Sequence, residues 1–275
     1  MPVEFQARPW SRIPIEAAGL LPERFVDASL DTLRAPRIFV GNRTVALSEL
    51  FEIEGNTADS HWVFAGDLSS VQHLGEGMTS GTIIVHGDIG RHVGGSMRGG
   101  RMEIKGSAGD FAGAELRGGT LLIRGDAGHH TGGAYRGSPR GMTGGQLIVA
   151  GSAGNEVGRR MRRGLIAVGG NVGDLAGASM RAGTLVTGGS WGARAGAGMI
   201  RGTLLAWQPP REPLLPTFRH ACRYTPPFLP VLMRGLSQHG LSFPTHRPSA
   251  FELWNGDLLE GGRGELLLAS DNASA

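Results

Sequence analysis

The sequence predicts an all-β chain: a right-handed parallel β-helix solenoid of about seven coils, with an N-terminal cap and a C-terminal extension. Three observations carry that prediction: a nineteen-residue repeat, an apolar alternation inside it, and a glycine content too high for helix. With Gly81 as origin, the frame recurs at Gly100, Gly119, Gly145, Gly164 and Gly183, and Gly202 opens a shortened copy. The step from Gly119 to Gly145 is longer by seven residues, read as an insertion from Ser138 to Gly144. A weaker earlier frame begins at Trp62 and keeps Gly75 and Met78 in register. A fixed period of about twenty residues marks a solenoid, in which a single repeat cannot bury its apolar face alone.

Within the frame, positions two and four hold Ile83/Val85, Met102/Ile104, Leu121/Ile123, Leu147/Val149, Ile166/Val168 and Leu185/Thr187. Such alternation describes a strand with one face inward. A turn follows, through a glycine, then Asp, Ser or Asn, a small apolar residue and a second glycine, as in Gly87-Asp88-Ile89-Gly90 and Gly125-Asp126-Ala127-Gly128. Glycine is expected there for its access to positive φ, and the polar residue for its bonds to nearby backbone. A third glycine (Gly94, Gly113, Gly132, Gly158, Gly177, Gly196) precedes a large residue by three positions: Met97, Leu116, Tyr135, Met161, Met180, Met199. Stacked about 4.8 Å apart, these residues are expected to form an interior ladder.

Composition narrows the function classes. The chain has 275 residues, 47 of them glycine, enough for one solenoid with covered ends. A net charge of +3, with no basic run interleaved with aromatics, gives no nucleic-acid footprint. No run of eighteen apolar residues suggests a membrane span. The single Cys222 excludes an internal disulfide framework and fits a reducing, cytoplasmic setting.

Two columns suggest contact surfaces. The residue after the ladder position reads Arg98, Arg117, Arg136, Arg162 and Arg181. Like charges stacked about 5 Å apart repel unless anions intervene. They either fan outward to carbonyls and scattered carboxylates such as Glu115, or face an acidic partner or a polyanionic ligand. Strand position three should point outward, yet it reads Ile84, Glu103, Leu122, Ile148, Ala167, Val186 and Leu205. An apolar sheet face needs cover, from the chain's own flanks or, the favoured reading, from a partner protein through Ile84, Leu122, Ile148 and Val186.

The flanks lack the frame. Residues 1–61 are expected to cap the first coil, with Ser48 to Ile53 a short helix or strand, because open strand edges template aggregation. The solenoid is placed at 62–207. The extension 208–275 is expected to be partly helical around Phe228 to Leu236, with a disordered end from Ala269.

No catalytic, cofactor-binding or metal-binding constellation emerges. The Gly-x-Gly-x-x-Gly look-alikes near Gly94 belong to the repeat and join no strand to a helix. His86, His92, His129 and His130 could suggest a metal, but His92 and His130 should lie two coils apart, roughly 10 Å, without a carboxylate cluster. Cys222 near His220 reads as packing.

The runs Gly75-Glu76-Gly77-Met78-Thr79-Ser80-Gly81, His92 to Gly100, Gly109 to Gly119 and Ala134 to Gly145 resemble the C subunit of formylmethanofuran dehydrogenase. The resemblance spans about residues 36–205. The tail Leu214 to Arg219 and Tyr224 to Leu229 is similar to the bacterial branch, the formyltransferase/hydrolase complex of methylotrophs. The C-terminal domain of the glutamate synthase large subunit is a more distant likeness.

The resemblance implies a non-catalytic subunit of a complex in one-carbon metabolism, the oxidation of formaldehyde in methylotrophy. There, formyl passes from tetrahydromethanopterin to a methanofuran-type carrier and is released as formate. Three partner subunits are implied: one amidohydrolase-like, one molybdo/tungsto-enzyme-like and in direct contact, and one a formyltransferase. Zinc, tetrahydromethanopterin and the carrier would belong to those partners. An archaeal-type redox complex with molybdenum or tungsten is the alternative.

Overall fold

The computed structural model describes residues 1–270 except 11, 242, 244–247 and 249. The N-terminal segment holds β1 (Val3–Ala7), β2 (Ile15–Glu16), α1 (Leu30–Arg34), β3 (Arg37–Val40), β4 (Arg43–Ala46), α2 (Leu47–Leu50) and β5 (Phe51–Glu54). The expected element at Ser48 to Ile53 is therefore both helix and strand. Next come β6 (His61–Ala65) and β7 (Val71–Gln72). Six further strands occupy the glycine frame: β8 (Thr82–His86), β9 (Arg101–Ile104), β10 (Thr120–Ile123), β11 (Gln146–Val149), β12 (Leu165–Val168) and β13 (Thr184–Thr187). Then follow β14 (Arg201–Ala206), β15 (Arg219–Tyr224), α3 (Leu229–Gln238), β16 (Ala250–Gly256) and β17 (Arg263–Ser270).

The protein is all-β, with few helical residues. Among the described residues, thirteen strands form one sheet in the order β15-β16-β17-β14-β13-β12-β11-β10-β9-β8-β6-β1-β5. From β6 to β14 every pair is parallel, and register follows the repeat: Ile83 opposite Met102, Leu121 opposite Leu147, Ile166 opposite Leu185. The alternating residues fill the core, and Ile83, Val85, Met102, Ile104, Leu121, Leu147, Ile166 and Leu185 are all fully buried.

Two further ladders cross each repeat in the same order. Parallel bridges link Leu68, Ile89, Ala108, Ala127, Ala153, Val172 and Trp191. The amides of Gly94, Gly113, Gly132, Gly158, Gly177 and Gly196 each donate to a carbonyl of the preceding repeat at 2.8–2.9 Å. Repeats are thus joined along three lines, which is why no single one can stand alone.

The turns carry two polar ladders. Asp88 Oδ1 accepts the amide of Ser107 at 2.7 Å, Ser107 Oγ that of Asp126 at 3.1 Å, and Asp126 Oδ1 that of Ser152 at 2.7 Å. Ser152 and Asn171 continue the series. A second runs through Asp110, His129, Asn155 and Asp174, each accepting an amide one repeat on. These bonds place the side chain of one repeat where the next repeat's glycine needs empty space. A Cβ on Gly125 would strike Ser107 Oγ, and one on Gly173 would strike Asn155 Oδ1. Neither glycine has positive φ, so the sequence-level reason for them is corrected: what matters is the missing Cβ.

Both ends are covered by the chain itself. β1 pairs parallel with β6 and antiparallel with β5, extending the sheet on the N-terminal side. At the other end β17 adds parallel to β14, and β16 and β15 follow antiparallel. The extension is therefore mainly strand around one helix. Ala269 and Ser270 close β17, so the disordered end expected from Ala269 is corrected there; its remainder, 271–275, lies outside the described residues.

Candidate functional site

The interior ladder is Met78, Met97, Leu116, Met142, Met161, Met180 and Met199, all fully buried. The residues after them are Thr79, Arg98, Arg117, Thr143, Arg162, Arg181 and Ile200. From Arg98 onward their amides donate to the ladder carbonyl one repeat back at 2.7–2.8 Å. Tyr135 and Arg136 are not members, which corrects the sequence register. The extra residues are 135–141, and Met142 takes the interior place expected of Tyr135. The reason is chemical: a flexible thioether fills the interior without a polar atom, whereas a tyrosine hydroxyl there would need a partner. The signal was present, since Gly141-Met142-Thr143-Gly144-Gly145 repeats the pattern of Gly77-Met78-Thr79-Ser80-Gly81.

The arginine column is consequently Arg98 and Arg117, then Thr143, then Arg162 and Arg181. Arg98, Arg117 and Arg181 are exposed, and Arg162 is half-buried with an unpartnered Nε. Among the described residues none of the four, nor Arg136, forms an ion pair.

The outward strand column is corrected too. Leu122, Ile148 and Val186 are buried at 1%, 3% and 0% exposure, under the chain's own C-terminal segment. Leu236 and Leu241 pack on Leu122, Ile148 and Ala167, while Phe251 and Leu267 pack on Val186 and Leu205. α3 and the β16–β17 hairpin thus occupy the place expected of a partner. Ile84, beyond that cover, stays half-buried.

Glu103 interrupts the apolar column. Its carboxylate meets Lys105 Nζ at 2.6 Å and Arg124 Nε at 2.9 Å, while Arg124 Nη1 donates to the His239 carbonyl at 2.6 Å. Burial pushes this carboxyl up, but the hydrogen bonds and charges of Lys105 and Arg124 outweigh it and hold it at about 2. The chain's one lysine therefore helps to anchor the end of α3.

A third column was visible only as isolated histidines. His73, His92, Phe111, His130, Glu156, Leu175 and Arg194 occupy one corner, all left-handed with φ between 58° and 62°. Such a conformation costs about 1 kcal/mol or more per non-glycine residue. Each amide from His73 to Leu175 donates to the next repeat at 2.8–3.0 Å, which offsets that cost. The rings stack: His73 on His92 at 4.4 Å, His92 on Phe111 at 5.1 Å, Phe111 on His130 at 4.6 Å. His92 and His130 are two repeats apart with Phe111 between them. No group of three or more potential metal ligands occurs among the described residues.

Glu76, hydrogen-bonded to His73 Nδ1 at 2.7 Å, raises the pKa of His73. Burial lowers those of His92 and His130. Tyr135 lies over this stack, its ring 5.5 Å from Phe111 and 5.6 Å from His92. Burial also pushes its phenol up, so it stays neutral, and the hydroxyl is unpartnered among the described residues. Beside it opens a cleft of about 440 Å³ whose walls include His130, Tyr135, Arg136, Arg159 and Arg160. Arg160 Nη1 donates to the Ser138 carbonyl and secures the loop; Arg159 pairs with Glu156. The guanidinium groups of this corner can bind anions, with the ring of Tyr135 as an apolar wall beside them. The nineteen-residue spacing of His73, His92, Phe111 and His130 was the overlooked signal.

Fold and site together define a glycine-rich all-β repeat protein with a cationic corner built for contact. No family model matches the chain. A stretch of 80 residues, 29% of the chain, is 41% identical to the C subunit of the molybdenum-containing formylmethanofuran dehydrogenase 1 of Methanothermobacter thermautotrophicus. A stretch of 81 residues, 28% of the chain, is 38% identical to the C subunit of the tungsten-containing enzyme 2 of that organism. These matches span only 20% and 30% of those relatives. One solved structure aligns over 97% of this chain and 99% of its own, at 32% identity and a TM-score of 0.89. It is a chain of the formyltransferase/hydrolase complex (FhcABCD) from Methylorubrum extorquens, crystallised with methylofuran. The chain belongs to the family of formylmethanofuran dehydrogenase C subunits.

Proposed function

We propose that this chain is a non-catalytic structural subunit of a formyltransferase/hydrolase complex. That complex would move formyl from tetrahydromethanopterin to a methanofuran-type carrier and release formate. The observation that carries this reading is the nearly full-length likeness to one chain of a complex crystallised with methylofuran. Its partners are three: an amidohydrolase-like protein, a molybdo/tungsto-enzyme-like protein in direct contact, and a formyltransferase. Zinc and tetrahydromethanopterin reside with those partners, and the assembly is cytoplasmic. No helix among the described residues is long and apolar enough to cross a membrane.

In this reading residues 62–207 wind as a right-handed parallel β-helix, a reading supported by the three ladders that join each repeat to the next. Residues 1–61 cap one end, and 208–275 form the extension. The arginines at 98, 117, 162 and 181, with Ile84, contribute to a partner or polyanion surface; the exposure of the first two and of Arg181 supports that role.

A second reading, a redox complex, is favoured by the molybdenum and tungsten enzymes among the relatives. Metal analysis of the complex purified from its host separates the two. Zinc without molybdenum or tungsten is the expected result; either of the latter in stoichiometric amount would replace hydrolysis with redox chemistry.

A further inference from the structure

The seven-residue excursion at 135–141 breaks the frame in one repeat alone and carries two arginines outward. It is firmly seated. The amide of Ala134 donates to the Arg159 carbonyl at 3.1 Å, that of Gly141 to the Arg160 carbonyl at 2.9 Å, and Arg160 Nη1 to the Ser138 carbonyl at 2.5 Å. Tyr135 is wedged over the His92–Phe111 stack. What this seating holds outward is Arg136 and Arg140, both exposed and, among the described residues, without ion pairs. Beneath them lie Arg159 and Arg160. Glu156 is the one carboxylate paired there, and it already engages Arg159.

We infer that this loop and the cleft beside it are a docking site for an acidic segment of a partner polypeptide. The inference rests on the complex-subunit reading and adds to it a particular surface and the chemistry of its occupant. Charge complementarity points to that occupant: the four arginines outnumber the nearby carboxylates, Glu156 on Arg159 and Glu76 and Glu115 on the Tyr135 side, and Arg136 and Arg140 are the exposed ones. Their layout favours a chain over a small anion. Arg159 and Arg160 have donors committed to Glu156 and to the loop, Arg136 lines the cleft beside them, and Arg140 lies on the loop outside the cleft walls, so the charge is spread along the loop. A run of Asp and Glu side chains can meet such a dispersed array, with the ring of Tyr135 as an apolar floor.

The test uses the complex purified through a tagged partner, with wild-type chain, Arg136→Glu/Arg140→Glu, the milder Arg136→Gln/Arg140→Gln, and a distant control, Arg12→Glu/Arg43→Glu. Retention of this chain is followed through a salt titration, and hydrogen exchange of 135–141 is compared between free and assembled chain. The expected result is about tenfold lower retention for the reversed pair, a smaller loss for the glutamines, none for the control, and protection of 135–141 on assembly. Unchanged retention by both loop variants, an equal loss in the control, or protection by inorganic phosphate in place of partners would overturn the inference. A wild-type chain that never co-purifies would instead remove the complex-subunit reading, and this inference with it.

Discussion

Glu103 shows how one residue outside the repeat pattern governs a distant segment. Its carboxylate joins Lys105 and Arg124, and Arg124 reaches the carbonyl of His239 at the end of α3. Glu103→Gln removes the charged acceptor while keeping its shape. We expect a loss of about 2 kcal/mol at neutral pH, read from the urea midpoint. The pH dependence has a definite sign. Glu103 titrates at about 2 when folded, below its ordinary 4.5, so its contribution is complete above pH 4.5 and disappears as the pH falls through about 2. The gap between wild type and variant should therefore close in acid. A gap that stays constant as the pH falls from neutrality through about 2 would mean that the ion pairs contribute nothing.

At the scale of the element, the long repeat is decisive. Met142→Ala empties a fully buried ladder position and should cost about 2–5 kcal/mol. Tyr135→Ala removes a half-buried ring from the outer loop and should cost less, about 1 kcal/mol beyond its lost area. The reverse order in thermal or urea midpoints would restore Tyr135 to the interior. The strand columns were legible because every inward position is aliphatic at a fixed offset from a glycine. The register of the insertion is ambiguous in sequence because Tyr135 stands three residues after Gly132 and Met142 three residues before Gly145, each matching one side of the ladder spacing, and packing chooses between them. The histidine–phenylalanine corner escaped notice since its members differ chemically and share only position and backbone conformation. β15 to β17 were hidden for a related reason: they pair with the end of the sheet through contacts distant in sequence, without the glycine frame. The role of Gly125 and Gly173 likewise depends on the side chain one repeat below, which local turn chemistry does not reveal.

For the whole molecule, the extension decides which surfaces remain for partners. α3 and the β16–β17 hairpin bury Leu122, Ile148, Val186 and Leu205. A chain ending at residue 207 would expose that face and should self-associate, as light scattering would show; a monodisperse fragment would mean the cover is dispensable. With that face closed, the surfaces proposed for partners are the arginine column, Ile84 and the loop at 135–141. The most direct test of the central claim is native mass spectrometry of a tagged chain purified from its own host. The account predicts one assembly containing this 28.9 kDa chain and three larger subunits. A lone 28.9 kDa species from gentle lysis would contradict it.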